Sequence, residues 1–293
     1  MITLGSHNGN FHADDVFAIG ALTLLHPEYK ILRSRDPEVW AQCDYLVDVG
    51  GVYDHEKKIY DHHFNNGPAY EDGLRMSSIG LVWKHYGAKI CGSQEIADRV
   101  CHKLIRTLDA HDNGINLTQR AEGIPDVHEV SISSIVAAMN PPDLGNVDEV
   151  FAVEAARAAE VLKAYIANAK KWFASKTEVE EALEIALREN KQYMEVSENC
   201  NWMEHLLNTE GNESILYVLY PSNGKWYSRT VPVAKDSYES RKSFPKSWGG
   251  LRDEEFSQVS GIKDGVFCHH ARFICGSMSK NSTTKLILDA IEN

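Results

Sequence analysis

The sequence predicts an α/β protein with a mostly parallel sheet in its N-terminal part, joined by long helices to a smaller α+β part, and three observations predict it. Strand-like and helix-like patterns alternate over residues 1–63, as they do where a parallel sheet is built. A stretch over residues 147–188 is rich in Ala, Glu, Lys and Leu and holds no Pro or Gly, so it reads as one long helix or two stacked ones. From Ser214 strand patterns return. At about 100–200 residues per domain, 293 residues predict two domains. The expected boundaries are 1–145 for the first domain, 146–205 for a helical connector and 206–293 for the second.

The elements follow in order. Ile2-Thr3-Leu4 is a short apolar strand. Asp14 to Leu25 carries Val16, Phe17, Ile19, Leu22 and Leu25 at helical spacing and is ended by Pro27. Tyr29 to Arg33 reads as a second strand. Tyr45 to Val49 is a compact run closed by Gly50-Gly51, hence a buried strand entering a tight turn. Helices are expected from Ser77 to Tyr86 and from Ile96 to Leu108, the latter with Ile96, Val100, Leu104, Ile105 and Leu108 on one face. Asn140-Pro141-Pro142 is a break. Ile215 to Tyr220 and Trp226 to Val233 read as strands, and Thr283 to Ile291 as a closing helix.

Composition narrows the function. Hydrophobic residues make up 43% and charged residues 25%, an ordinary globular balance. No apolar run approaches the ~20 residues of a membrane span, and Met1-Ile2-Thr3-Leu4 enters a strand pattern with no secretory signal pattern behind it. Six cysteines are scattered without CxxC spacing, which argues against a disulfide framework and for an intracellular, cytoplasmic location. The net charge of −12 argues against general nucleic-acid binding. It is unevenly spread: residues 225–293 hold 11 Lys/Arg against 8 Asp/Glu, the remainder 19 against 34. An acidic first part suits cations and a mildly basic last part suits anions, although chance variation gives the same figures.

Six of the 13 histidines fall in the first 63 residues. Four of them stand with aspartates in short clusters near predicted strand ends, His7-Asn8-Gly9-Asn10-Phe11-His12-Ala13-Asp14-Asp15 and Tyr60-Asp61-His62-His63, and a third cluster, Val47-Asp48-Val49-Gly50-Gly51, adds an aspartate. Sites in open α/β sheets form beyond the carboxyl ends of the strands, so such clusters can converge. Imidazole and carboxylate together suit Mn²⁺, Zn²⁺ or Fe²⁺. Two such ions about 3.5–4 Å apart can activate water and stabilise a phosphoryl centre. A single His beside a strand is ordinarily a hydrogen-bonded core residue; three clusters in register with strand ends are not so explained. His26, before Pro27 at a helix end, reads as structural and His55, in an expected hairpin, as a surface residue; His85, His102, His111, His128 and His205 lack suitable carboxylate company, and Asp44 and Asp54 read as solvated.

Asp61-His62-His63 matches the signature triplet of the DHH phosphoesterase superfamily. Together with His7 to Asp14, Arg35-Asp36-Pro37, Val47 to Gly51, Ser77 to Trp83, Asp109 to Gly114, Phe267-Cys268-His269 and Arg272-Phe273-Ile274, the chain resembles the melanocyte-proliferating-gene family of DHH-type exonucleases over nearly its whole length. The resemblance implies a DHH-type catalytic domain and two divalent metal ions, Mn²⁺ foremost with Zn²⁺, Fe²⁺ or Mg²⁺ as alternatives. It implies that His7 and His12 hold one ion, that Asp48 bridges, that Asp14, His62 and Asp109 hold the second, and that the catalytic His63 sits beside the phosphate. His12 stands where the superfamily usually has Asp, Asp15 where the family commonly has Glu, and Cys275 where Gly is expected. Asp109 also ends an amphipathic pattern before the turn-like Asp112-Asn113-Gly114, where a surface Asp is the alternative.

In the C-terminal part, Arg241, Lys242, Arg252, His269 and Arg272 lie among small residues and Trp248, a composition suited to phosphate forks, backbone approach and base stacking. Ordinary surface cations around a core Trp would look the same. Three functions therefore stand open. The first is a 3'-5' exonuclease releasing nucleoside monophosphates from single-stranded RNA or short oligonucleotides. The second is a phosphohydrolase of a small substrate such as pyrophosphate or a nucleotide messenger. The third is a non-catalytic, metal-stabilised binding protein. The oligomeric state, a homodimer included, is also open.

Overall fold

The computed structural model describes residues 1–119, 123, 129–143 and 145–293; His128 lies outside them. The chain forms two compact units, Met1–Lys170 and Lys171–Asn293.

The first unit opens with β1 (Ile2–Ser6), α1 (Ala13–Leu25) and β2 (Tyr29–Arg33). Then come a single turn α2 (Pro37–Trp40), β3 (Tyr45–Val47), β4 (Tyr53–Asp54) and β5 (Ile59–Tyr60). The strands form one sheet in the order β2-β1-β3-β5-β4. β1 runs parallel to β2 and β3, and β3 parallel to β5; only the β4 edge is antiparallel. The expected mostly parallel sheet is therefore present. Its consequence for function is directional: β1, β3 and β5 end on the same edge, so the residues that follow them, His7, Asp48 and Asp61, emerge side by side.

α1 forms because its apolar residues follow helical spacing and because Asp14 and Asp15 occupy its first turn, at the positive end of the helix dipole. Asp15 Oδ1 also accepts the backbone N–H of His12, the residue before the helix (2.9 Å). Every residue from Ala13 to Leu22 is buried, which fits a helix covered on all sides. The helices that follow are α3 (Ser78–Cys91), α4 (Gln94–Val100), α5 (Arg106–Asp112) and α6 (Ile132–Ala138). The helix expected from Ile96 to Leu108 is not uniform: a π-helical turn at Cys101–Ile105 separates α4 from α5. Such turns are frequent beside functional sites. Val100, Leu104, Ile105 and Leu108 remain buried through it.

The long stretch is a single helix, α7 (Val147–Arg188). Its Phe151, Ala155, Ala158, Leu162 and Ile166 pack in the core of the first unit with Phe11, Phe17, Ile19 and Leu22. Its Val179, Leu183 and Ala186 pack in a core of the second. The division between the units thus falls inside α7, where the sequence suggests a separate connector over 146–205; the rest of that span is β6 (Tyr193–Glu195), a sheet strand, and most of α8 (Trp202–Asn208).

The second unit continues with β7 (Tyr217–Ser222), β8 (Lys225–Thr230), α9 (Asp253–Ser260), β9 (Gly265–Cys268), β10 (Ile274–Ser277) and α10 (Lys280–Glu292). Its sheet has the order β6-β7-β8-β10-β9, antiparallel apart from the β6–β7 pair. Strand alternation sends Val218 into one core, with Met194 and Trp202, and Leu219 into another, with Phe244, Phe256 and Leu286.

Candidate metal centre

The first cluster starts where β1 ends. His7 is 4% exposed. Its Nδ1 donates to the carbonyl of Asn8 (3.0 Å), which Arg35 also engages. That bond turns Nε2 toward Asp48 Oδ2 (3.2 Å) and Asp15 Oδ2 (3.4 Å). Burial disfavours the charged ring, but the Asp48 hydrogen bond and the Asp15 charge outweigh it and raise the His7 pKa. Burial also lifts Asp15 to about 7, against the opposing pull of His7. His12 is exposed at the start of α1. One ring nitrogen of His12 lies within 4.8 Å of ligand atoms of both His7 and Asp48.

Asp48 is the hub. It follows β3 with φ +56°, a left-handed conformation that Asp tolerates better than most residues. Gly50 and Gly51, also at positive φ, complete the turn. Asp48 Oδ1 meets His62 Nε2 (3.3 Å), His63 Nδ1 (3.2 Å) and the Ser78 hydroxyl (3.1 Å). Burial works against its charge, yet the close approach of His62, His63 and His7 prevails and holds the carboxyl far below the usual carboxylate range.

The Asp61-His62-His63 triplet follows β5 and divides its labour. Asp61 Oδ2 accepts Gly51 N–H (2.6 Å), and Oδ1 accepts the backbone N–H and Nδ1 of His63 (3.0 and 2.9 Å). Asp61 thus orients its neighbours. His62 Nε2 faces three carboxylates: Asp112 Oδ2 (3.2 Å), Asp48 Oδ1 (3.3 Å) and Asp14 Oδ2 (3.6 Å). His63 is largely exposed, its side chain 63% accessible.

Three overlapping groups of side chains bring their ligand atoms within 4.8 Å of one another: His7, His12 and Asp48; Asp48, His62 and His63; Asp14, His62 and Asp112. Of the residues expected to cage cations, His7, His12, Asp14, Asp48 and His62 therefore meet in one place. Asp109 does not join them. Its carboxylate, 0% exposed, accepts bonds from Ser77 N–H (3.0 Å), Ser77 Oγ (2.7 Å), Gly80 N–H (3.2 Å) and Tyr70 Oη (2.7 Å), so the protein itself consumes its acceptor capacity. Burial raises its pKa to about 6. Asp112, which reads as part of a turn in the sequence, stands at the end of α5 beside His62 instead.

The donor set fits divalent cations. Neither oxygen of Asp14 has a hydrogen-bond partner, although the residue is 1% exposed, and His62 Nε2 likewise has none. Buried polar atoms are seldom left so. Burial and the charges of Asp48, Asp112 and Asp15 push the Asp14 pKa well up; burial, then Asp48, raises that of Asp112. A pocket with this many carboxylates around imidazoles lacks positive charge, which a divalent cation would supply.

The model of the MYG1 exonuclease family, described as an uncharacterised protein family (UPF0160), matches residues 3–291. The chain is 33% identical to the human MYG1 exonuclease, over 97% of this chain and 84% of that protein, and 31% identical to the MYG1 protein of Dictyostelium discoideum, over 99% and 96%. The chain belongs to the MYG1 family. Membership makes it a hydrolytic enzyme of the phosphoesterase class, as the resemblance implies. Among solved structures, RecJ from Thermus thermophilus in complex with Mn²⁺ is similar at 13% identity and a TM-score of 0.30; the match spans 99% of this chain and about half, 52%, of RecJ.

In the second unit of this MYG1-family chain, the expected substrate cations have mixed surroundings. Arg241 is tied down: it donates to the carbonyls of Asn212 (2.6 Å) and Ile215 (3.0 Å) and to the Asn212 side chain. Lys242 Nζ donates to the Ile291 carbonyl at the end of α10 (2.7 Å). Arg272, at φ +58°, donates to the Phe244 carbonyl (3.1 Å). These three act within the fold, because a buried carbonyl requires a donor as much as a phosphate does. Arg252 is exposed, with its guanidinium 5.5 Å from the centre of the Phe267 ring. The His269 ring meets those of His270 (centroids 4.1 Å apart, tilted 37°) and Phe273 (4.6 Å, tilted 56°), and its Nδ1 accepts Ala271 N–H (3.1 Å). Of the five, Arg252 and His269 are the two whose side chains bind no backbone carbonyl among the described residues.

Proposed function

We propose that this chain is a 3'-5' exonuclease that releases nucleoside monophosphates from single-stranded RNA, with Mn²⁺ at the His/Asp pocket of its first unit. The observation that carries the proposal is the convergence of His7, His12, Asp14, Asp48, His62 and Asp112 around buried oxygens and a nitrogen that lack partners. Relatives named exonuclease support the choice of a polynucleotide.

His7, His12 and Asp48 would hold one cation; Asp14, His62 and Asp112 would hold a second, with Asp48 shared. Divalent ions bound there would supply an activated water and neutralise charge on a phosphoryl oxygen. The chain's own residues do the rest. Asp48 draws His7, His62 and His63 to one point. Asp61 fixes the His63 ring through Nδ1, which leaves Nε2 to donate a proton or hydrogen bond to a phosphate oxygen. Arg252 and His269 are candidates for phosphate and base contacts. The free state of all six cysteines supports a reducing, cytoplasmic setting.

The test measures Mn²⁺-dependent release of nucleoside monophosphates from single-stranded RNA. Asp48→Ala should lower the rate by about 100-fold or more; an Asp48→Ala enzyme as active as wild type would sink the reading. The net charge of −12 favours a second reading, a small phosphate substrate. The two separate by salt: a polymer contacted at several phosphates loses affinity steeply as salt rises, and a small substrate does not.

A further inference from the structure

α3 starts at Ser78, and its N-cap Ser77 makes no side-chain cap bond to its own helix. The first N–H groups of a helix need acceptors. Here the acceptor comes from another helix. Asp109, in α5, takes Ser77 N–H, Ser77 Oγ and Gly80 N–H on one oxygen, and Tyr70 Oη on the other. A carboxylate at the positive end of α3 also gains from the helix dipole. The fit leaves no slack: a Cβ on Gly80 would stand 2.4 Å from Asp109 Oδ2. Ser78, one of the two residues between these contacts, is wholly buried and donates its hydroxyl to Asp48 Oδ1 (3.1 Å). Three residues after Asp109, Asp112 reaches His62 Nε2 (3.2 Å).

We infer that Asp109 is a positioning residue, which clamps the first turn of α3 to α5 and so sets Asp48, through Ser78, and Asp112 at the spacing the cation site requires. This rests on the pocket being the metal centre proposed above. Asp109 touches no cation itself; it acts by holding two carboxylates in register. Supporting groups of this kind typically govern metal affinity by about 10–100-fold.

The experiment titrates Mn²⁺ into the full chain by calorimetry, for wild type, Asp109→Asn, Ser78→Ala and the double variant, with urea unfolding of each in the absence of metal. Both single variants should bind Mn²⁺ about 10–100-fold more weakly while retaining a cooperative urea transition. The double variant should lose no more than the weaker-binding single, because both substitutions cut one chain of contacts. Single variants that bind within twofold of wild type, or losses that simply add in the double, overturn the inference and leave the metal centre standing. A wild-type chain that binds no Mn²⁺ overturns the metal centre itself. Should Asp109→Asn not fold, Ser78→Ala, which removes one hydroxyl, decides by the same twofold criterion.

Discussion

At the scale of single residues, His63 and the two aspartates of α5 are the most informative. The His63 pKa is raised to about 9, first by its hydrogen bond to Asp48, with burial pulling the other way and Asp61 adding support. A ring held by Nδ1 and largely exposed serves substrate better than cation. His63→Ala should therefore lower kcat by about 10²–10⁴-fold and leave Mn²⁺ affinity within a few fold; an equal fall in affinity would make His63 a ligand instead. Most of the pocket is legible in the sequence, because His7, Asp48 and His62 closely follow strands that a parallel sheet must end on one edge. Asp112 is not. Asp109 and Asp112 stand three apart on one helical face, so spacing cannot say which one reaches His62, and Asp112-Asn113-Gly114 reads as a turn. Only the donors around Asp109, supplied by Tyr70, Ser77 and Gly80, separate the two. Arg241 and Lys242 mislead for a related reason: adjacent cations look solvated in sequence, whereas here each reaches a backbone carbonyl far along the chain.

At the scale of elements, the contact of α1 with α7 depends on one missing side chain. A Cβ on Gly20 would lie 2.8 Å from the Ala155 carbonyl and 3.0 Å from Ala158 Cβ. Neither neighbour is a flexible chain end, so one helix must shift. Gly20→Ala would ordinarily help a helix by propensity; here overpacking should win and cost about 1–3 kcal/mol, read as a lower urea midpoint at unchanged slope. An unchanged or higher midpoint would refute the close approach. Periodicity locates α1, and composition without Pro or Gly locates α7. Periodicity misses the π turn at Cys101–Ile105 because nothing in that run is a Gly or Pro.

At the scale of the whole molecule, the chain is two compact units, and the candidate metal-ligating groups among the described residues belong to the first. Cation binding should therefore stabilise one unit selectively. At free Mn²⁺ one hundred times Kd the gain is about 2.7 kcal/mol. Calorimetry should show one of two thermal transitions rising with Mn²⁺ and falling back with chelator, the other fixed; two transitions that move together would contradict this. The two-domain plan is legible from the return of strands after Ser214, but the place of the division is not, since α7 has no break to mark it. That helix has a consequence for biosynthesis. The cage residues have all been translated by position 112, yet the side chains that cover α1, from Phe151 through Ile166, follow only later. A polypeptide ending at Pro142 would carry every candidate ligand and still leave Phe17, Ile19 and Leu22 without part of their cover, so the core beneath the pocket is completed only when the first half of α7 is added.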